Sequence, residues 1–215
     1  MLGLGSKPSS GSLLHFGLLG DSIGYLRVDA ILSGCEKELD QIFRAAAELK
    51  GLVIDQRLGW DGGNDPSGQA IELASRLTSR DYLAYSRVRG STPQPEMVRA
   101  SSRPGFGGRV ALLIGPASGA AAELFAMASF GREPHVAGVG DRTQGTFSEV
   151  MRRRLPNGWS FALPYSSYLA QDGRTYDFIG IQPEVPVPVF PDEDLKAGRD
   201  GGLETAIQLL KQAGR

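Results

Sequence analysis

Val110-Ala111-Leu112-Leu113-Ile114-Gly115-Pro116-Ala117-Ser118-Gly119-Ala120-Ala121-Ala122-Glu123-Leu124-Phe125 is the stretch whose reading decides the fold. Its first five residues are apolar without alternation, as in a strand buried on both faces, and Gly-Pro ends the run. The alanine-rich segment from Ala120 to Phe130 has the composition of a good helix former. A strand that breaks at small residues and turns straight into a helix leaves unpaired backbone N–H groups at the helix start, where negative charge is stabilised. Two readings follow. One is an ordinary strand-to-helix crossover of an α/β domain; the other is the place where an acyl-transfer enzyme sets its nucleophile and part of its oxyanion hole.

Upstream, Ile23-Gly24-Tyr25-Leu26-Arg27-Val28 and Gly51-Leu52-Val53-Ile54-Asp55 read as strands. Between them Leu39, Ile42, Phe43, Ala46 and Leu49 repeat at helical spacing, which makes a βαβ unit with a parallel pair. Gly62-Gly63 then follows the second strand, either to let backbone approach a ligand or as a tight turn before a helix from Pro66 to Leu77. The spacings of a phosphate loop and of a dinucleotide site are absent, so no nucleotide cofactor is expected. Residues 90–108, rich in Pro, Gly and Ser, read as a long irregular connection.

Downstream, Val136-Ala137-Gly138-Val139 reads as a short strand before a turn-rich piece, 140–146. Asn157-Gly158 between Phe147–Leu155 and Trp159–Pro164 signals a β-hairpin. Alternate prolines keep Val185-Pro186-Val187-Pro188-Val189 extended, and Leu203, Ala206, Ile207 and Leu210 give a closing amphipathic helix. The expected organisation is a flexible tail over residues 1–19 and one core domain over 20–215.

Composition narrows the function. The 215 residues are 41% hydrophobic and 22% charged, with a formal net charge of -1, as in an ordinary globular domain. No basic stripe points to nucleic acid, and the longest apolar runs fall short of a bilayer span. The first residues lack the basic head and apolar stretch of a secretory signal, which leaves the compartment open. One cysteine, Cys35, and two histidines, His15 and His135, do not make a metal site.

Four features occur in a telling order: Asp55-Gln56-Arg57 with Gly62-Gly63, the junction ending Ala121-Ala122-Glu123, Gly140-Asp141-Arg142-Thr143-Gln144-Gly145, and Leu155-Pro156-Asn157-Gly158-Trp159. Together, over roughly residues 20–190, they resemble the C-terminal processing (tail-specific) serine peptidase family, relatives of which include the tricorn core and the retinoid-binding repeats. The resemblance implies a ClpP/crotonase-like α/β core of βαβ units with a C-terminal β-hairpin region. It also implies a polypeptide substrate or peptide tail, and no cofactor. Family members often add a helical N-terminal segment and a PDZ domain, and this chain is expected to hold the core alone. An exposed sheet edge in such a core is compatible with a homo-oligomer.

Carried over by residue, the family's nucleophilic serine lies three positions before the glutamate, which is Ala120 here. A methyl group cannot attack a carbonyl. Ser118 is the nearest hydroxyl, two positions early. The lysine base of the processing branch falls at Thr146, beside Gln144, and for the histidine base of the tricorn-like branch His15 is the candidate. The backbone N–H groups of Gly62 or Gly63 and of Ala121 are the implied oxyanion hole, and the turn before Gly62 is one residue longer than the family's usual form. Two functions remain: a serine-peptidase core disabled at Ala120, or a natural pseudo-peptidase that holds a peptide tail or apolar ligand in the same cleft.

Overall fold

Chain order sets the order of the main sheet. In the computed structural model, which describes residues 13–20, 22–30, 35–59, 65–147 and 149–212, β1 (Leu14–Leu19) pairs antiparallel with β2 (Ile23–Val28). Helix α1 (Glu36–Ala46) leads to β3 (Gly51–Asp55), which runs parallel to β2. Helix α2 (Pro66–Ser75) and the hairpin β4 (Tyr82–Arg89) and β5 (Thr92–Val98) precede β6 (Arg109–Ile114), parallel to β3. Helix α3 (Ala121–Ser129) then leads to β7 (Val136–Gly140), parallel to β6. The ribbon β8 (Val150–Arg154) and β9 (Ser160–Pro164), then β10 (Ser167–Leu169), β11 (Val185–Pro186), α4 (Asp192–Ala197) and α5 (Gly201–Gln212) complete the chain.

The six-stranded sheet has the order β1-β2-β3-β6-β7-β11, so each new parallel strand is added on the same side and the order never reverses. Strand alternation divides the core. Leu52, Ile54, Val110, Leu112 and Ile114 share one cluster with residues of α1, α2 and α3. Val53, Ala111 and Leu113 face the other way, against Leu203, Ala206 and Leu210 of α5. The three helices that connect parallel strands thus cover one face, and the closing helix covers the other.

Two expectations are corrected. Residues 14–19 are not a tail: they hydrogen-bond along the whole of β2, and Leu14 is 3% exposed. Residues 92–98 are a strand although Pro93 and Pro95 lie in it, because β5 is the edge of a three-stranded sheet, β10-β4-β5, where a missing N–H faces solvent. The irregular connection shrinks to residues 99–108. The hairpin at Asn157-Gly158 is present, with Gly158 at φ +90 and its N–H donating to the Leu155 carbonyl. Asn157 does not take a positive φ, so the turn is a three-residue loop closed by a glycine bulge.

Candidate functional site

The carboxyl ends of β2, β3 and β6 lie side by side, and the chain leaving each of them builds a cleft of about 610 Å³. Arg27, at the end of β2, and Asp29 just beyond it form one wall, Leu58 and Gly59 follow β3, and Ala117, Gly119 and Ala120 follow β6. Gln144 and Thr146 come from the loop after β7. Ala120 is the N-cap of α3 and holds φ +47, ψ −113, a backbone that side-chain-bearing residues rarely adopt. Such strain, roughly 1–3 kcal/mol, persists only where the surroundings over-determine it. Next to it, Gly119 lies under Gln144: a Cβ there would stand 2.3 Å from the Gln144 Oε1 and displace that side chain. The side chain of Gln144 therefore rests directly on the backbone that precedes Ala120.

Glu123 shapes the opposite side. It is wholly buried in the first turn of α3, and its carboxylate accepts from the Thr143 hydroxyl (2.6 Å), the Gly145 N–H (2.6 Å) and the Thr146 N–H (2.7 Å). Buried carboxylates need such donors, and here the donors are the loop that carries Gln144. The Gln144 Oε1 accepts from the Thr146 hydroxyl at 3.0 Å, which fixes its side chain over Gly119.

A second buried anchor lies behind β3. Arg57 donates to both oxygens of Asp55 (3.0 and 2.7 Å) and both of Asp200 (2.7 Å each), and its guanidinium lies 4.5 Å over the Phe190 ring. Burial works against the Arg57 charge, but the hydrogen bonds and charges of Asp200 and Asp55 outweigh it and raise its pKa. Burial likewise opposes the Asp200 charge, and Arg57 and the Leu203 N–H overcome it, so that carboxyl sits below its ordinary value. Tyr25 donates to Asp55 at 2.8 Å, and burial beside that carboxylate raises its phenol. The Asp-x-Arg motif is thus a clamp that ties the loop entering the cleft to the start of α5.

Of the residues singled out by sequence, Ala120 and Gln144 reach the cleft wall together. Ala121 is buried as the first residue of α3, so its N–H is one that a helix leaves without an intrahelical partner. Ser118 is a correction. Fully buried, it donates from its hydroxyl to the Gln56 carbonyl (2.8 Å) and accepts from the Gly115 N–H (3.0 Å), stitching two loops together. Those bonds hold it off the cleft wall. The Nε2 of His15 bonds the Asp29 Oδ2 at 2.9 Å, and Asp29 is the member of the pair that lines the cleft. Gly62 and Gly63 lie outside the described residues. His135 bonds Glu184 at 2.6 Å at the protein surface.

Sequence reasoning missed Arg27, Asp29, Leu58 and Gly59. Arg27 donates to Asp29 at 2.9 Å, so Asp29 joins two basic groups at the cleft. Their one local signal is position at the carboxyl end of a parallel strand, where α/β proteins place ligands.

Residues 22–187 match the family model of Peptidase family S41. The chain belongs to peptidase family S41. Among solved S41-like structures, a Parabacteroides merdae protein assigned as a peptidase superposes with a TM-score of 0.81 at 30% identity, covering 92% of this chain and 64% of that one. CPAF complexed with lactacystin gives 0.75 at 16% identity (95% and 55%), and the photosystem II D1 C-terminal processing protease 0.63 at 20% (81% and 45%). The last two show a shared fold. The chain thus spans less than two thirds of the length of each of these structures. No curated protein matches the sequence.

Proposed function

We propose that this chain is a serine-peptidase core in which Ala120 stands where the nucleophile belongs, so that it holds polypeptide in the cleft without cleaving it. The observation that carries the reading is the Ala120 backbone, at φ +47 and ψ −113 on a helix N-terminus in the cleft. Sharp, strained strand-to-helix turns of this kind present a nucleophile beside helix N–H groups. With serine there, an acyl-enzyme would form on its hydroxyl while the Ala121 N–H and one of Gly62-Gly63 received the oxyanion. With alanine the same turn keeps the binding surface and lacks the attacking atom. A ClpP/crotonase-like spiral of βα units fits the one-directional strand order and the three crossover helices on one face.

A natural pseudo-peptidase is the second reading, and the cleft wall favours polypeptide over an apolar ligand there: Arg27, Asp29, Gln144 and Thr146 offer charges and hydrogen bonds. The test is Ala120→Ser beside the parent chain, each treated with a fluorophosphonate probe and an unstructured polypeptide. The parent is expected to bind the polypeptide and stay unlabelled. Labelling of the serine variant alone assigns residue 120 as a disabled nucleophile, whereas a folded but silent variant favours the pseudo-peptidase. Labelling of the parent overturns both.

A further inference from the structure

The ribbon β8–β9 forms a two-stranded sheet of its own, and neither of its faces is covered by the rest of the described chain. Its root is firmly held. Arg89 donates to both oxygens of Glu149 (2.6 to 3.1 Å) and lies 5.2 Å over the Tyr165 ring, and the Tyr165 N–H bonds the Glu149 carbonyl. Beyond that root the register pairs Met151 with Leu163 and Arg153 with Phe161, and Leu155 donates to Trp159. Cross-strand partners share a face, so Met151, Leu155, Trp159, Phe161 and Leu163 lie on one side, with Arg153 among them. They are held in water: Trp159 is 74% exposed, Leu163 52%, Leu155 42% and Phe161 39%. The other side carries Arg152 and Arg154, opposite Ala162 and Ser160. Among the described residues no carboxylate pairs with Arg152, Arg153 or Arg154.

The outer edge of β8 is open as well. Glu149 and Leu155 spend their backbone bonds on Tyr165 and Trp159, and antiparallel pairs alternate, so the N–H and C=O groups of Val150, Arg152 and Arg154 point outward. The Arg152 C=O accepts a long 3.4 Å bond from the Arg153 guanidinium. Beside this edge one face of β8 carries Arg152 and Arg154, and the other carries Met151 and Leu155 about Arg153; an added strand is selected by side chains that match them. Its apolar side chains would lie beside Met151 and Leu155, which flank Arg153, and its acidic ones beside Arg152 and Arg154. The edge lies near the cleft in sequence: Val150 is four residues beyond Thr146, a reach of at most about 14 Å.

We propose that the edge of β8 is a docking strand for an extended polypeptide in which apolar and acidic residues alternate, added to the ribbon at the lip of the cleft. The proposal rests on the reading of this chain as a polypeptide binder and names the class of polypeptide that it takes. The added strand pairs an edge that is otherwise open and brings carboxylates to arginines that no carboxylate of the described residues meets.

The test is a titration of a fluorescein-labelled peptide of alternating leucine and glutamate, and of a control with lysine for glutamate, followed by anisotropy. Each is added to the parent chain, to Arg152→Glu/Arg154→Glu, and to Ala117→Trp, which fills the cleft from an exposed position. Sedimentation velocity on the parent runs alongside. Expected is binding of the glutamate peptide to the parent, at least about tenfold weaker binding to the arginine variant, retention by Ala117→Trp, and preference of the arginine variant for the lysine peptide. Loss of binding in Ala117→Trp alone overturns the docking strand and leaves the cleft reading standing. Unaltered affinity in the arginine variant overturns the charge match. Binding of neither peptide, with an unstructured polypeptide still bound, also overturns the docking strand. Self-association of the parent that Trp159→Ala abolishes shows that a second copy covers the ribbon, which overturns it too.

Discussion

The polar groups around the cleft fall into two sets built in different ways. Behind the wall, Glu123 and Arg57 are buried and fully engaged, one by three short donors and the other by two carboxylates and a ring. On the wall itself, Ala120 presents a methyl group and Gln144 an exposed carboxamide bonded to Thr146. On the proposed reading the buried set frames the position of a nucleophile, and Ala120 occupies that position three residues before Glu123. That reading assigns stability and chemistry to different residues, which substitution can separate. The largest effect belongs to Glu123. Replacing it by leucine leaves the Gly145 and Thr146 N–H groups without their acceptor, with an expected loss of about 3–5 kcal/mol. The midpoint of urea unfolding reads it, and a loss below about 1 kcal/mol breaks the division between frame and wall.

The clamp behind β3 comes next. Asp200→Asn removes one of the two charges facing the buried Arg57, with an expected cost of about 2 kcal/mol at neutral pH. The sign of its pH dependence follows from the depressed carboxyl. A lowered folded-state pKa contributes stability above the unfolded value, near 4, and that stability is lost as pH falls through the folded value. The gap between parent and Asp200→Asn should therefore be full at pH 7 and close on descent below about pH 4. A gap of constant size down to pH 2 would mean that Arg57 does not draw on this charge.

The same division explains what the sequence disclosed. The parallel sheet is legible because Val53-Ile54 and Val110–Ile114 are buried on both faces and so read as unbroken apolar runs. Counting back from Glu123 singles out residue 120, which the structure places on the cleft wall at the start of α3. Strand β5 is not legible, because Pro93 and Pro95 argue against a strand until its place at a sheet edge is known. Strand β1 is hidden by the Gly/Ser-rich residues before it, and it is recognisable only by its pairing with β2. Ser118 misleads because its partner, the Gln56 carbonyl, is 62 positions away. Asp29 looks like any polar residue after a strand, and only the convergence of three strand ends makes it part of a wall.

The smallest effect has an unusual sign. Alanine-to-glycine changes commonly destabilise, because the unfolded chain gains freedom. At residue 120 the folded backbone has φ +47, which glycine adopts without the Cβ penalty, and as an N-cap glycine is preferred to alanine. Strain relief and capping together should outweigh the entropy term, so Ala120→Gly is expected to stabilise by about 0.5–1 kcal/mol. Ala122→Gly, inside α3, serves as the reference and should cost about 1 kcal/mol. Opposite signs at two alanines of one short segment would locate the strain at the candidate nucleophile position. Equal losses would mean that the turn is relaxed, and the main support for reading residue 120 as a vacated catalytic position would go with it.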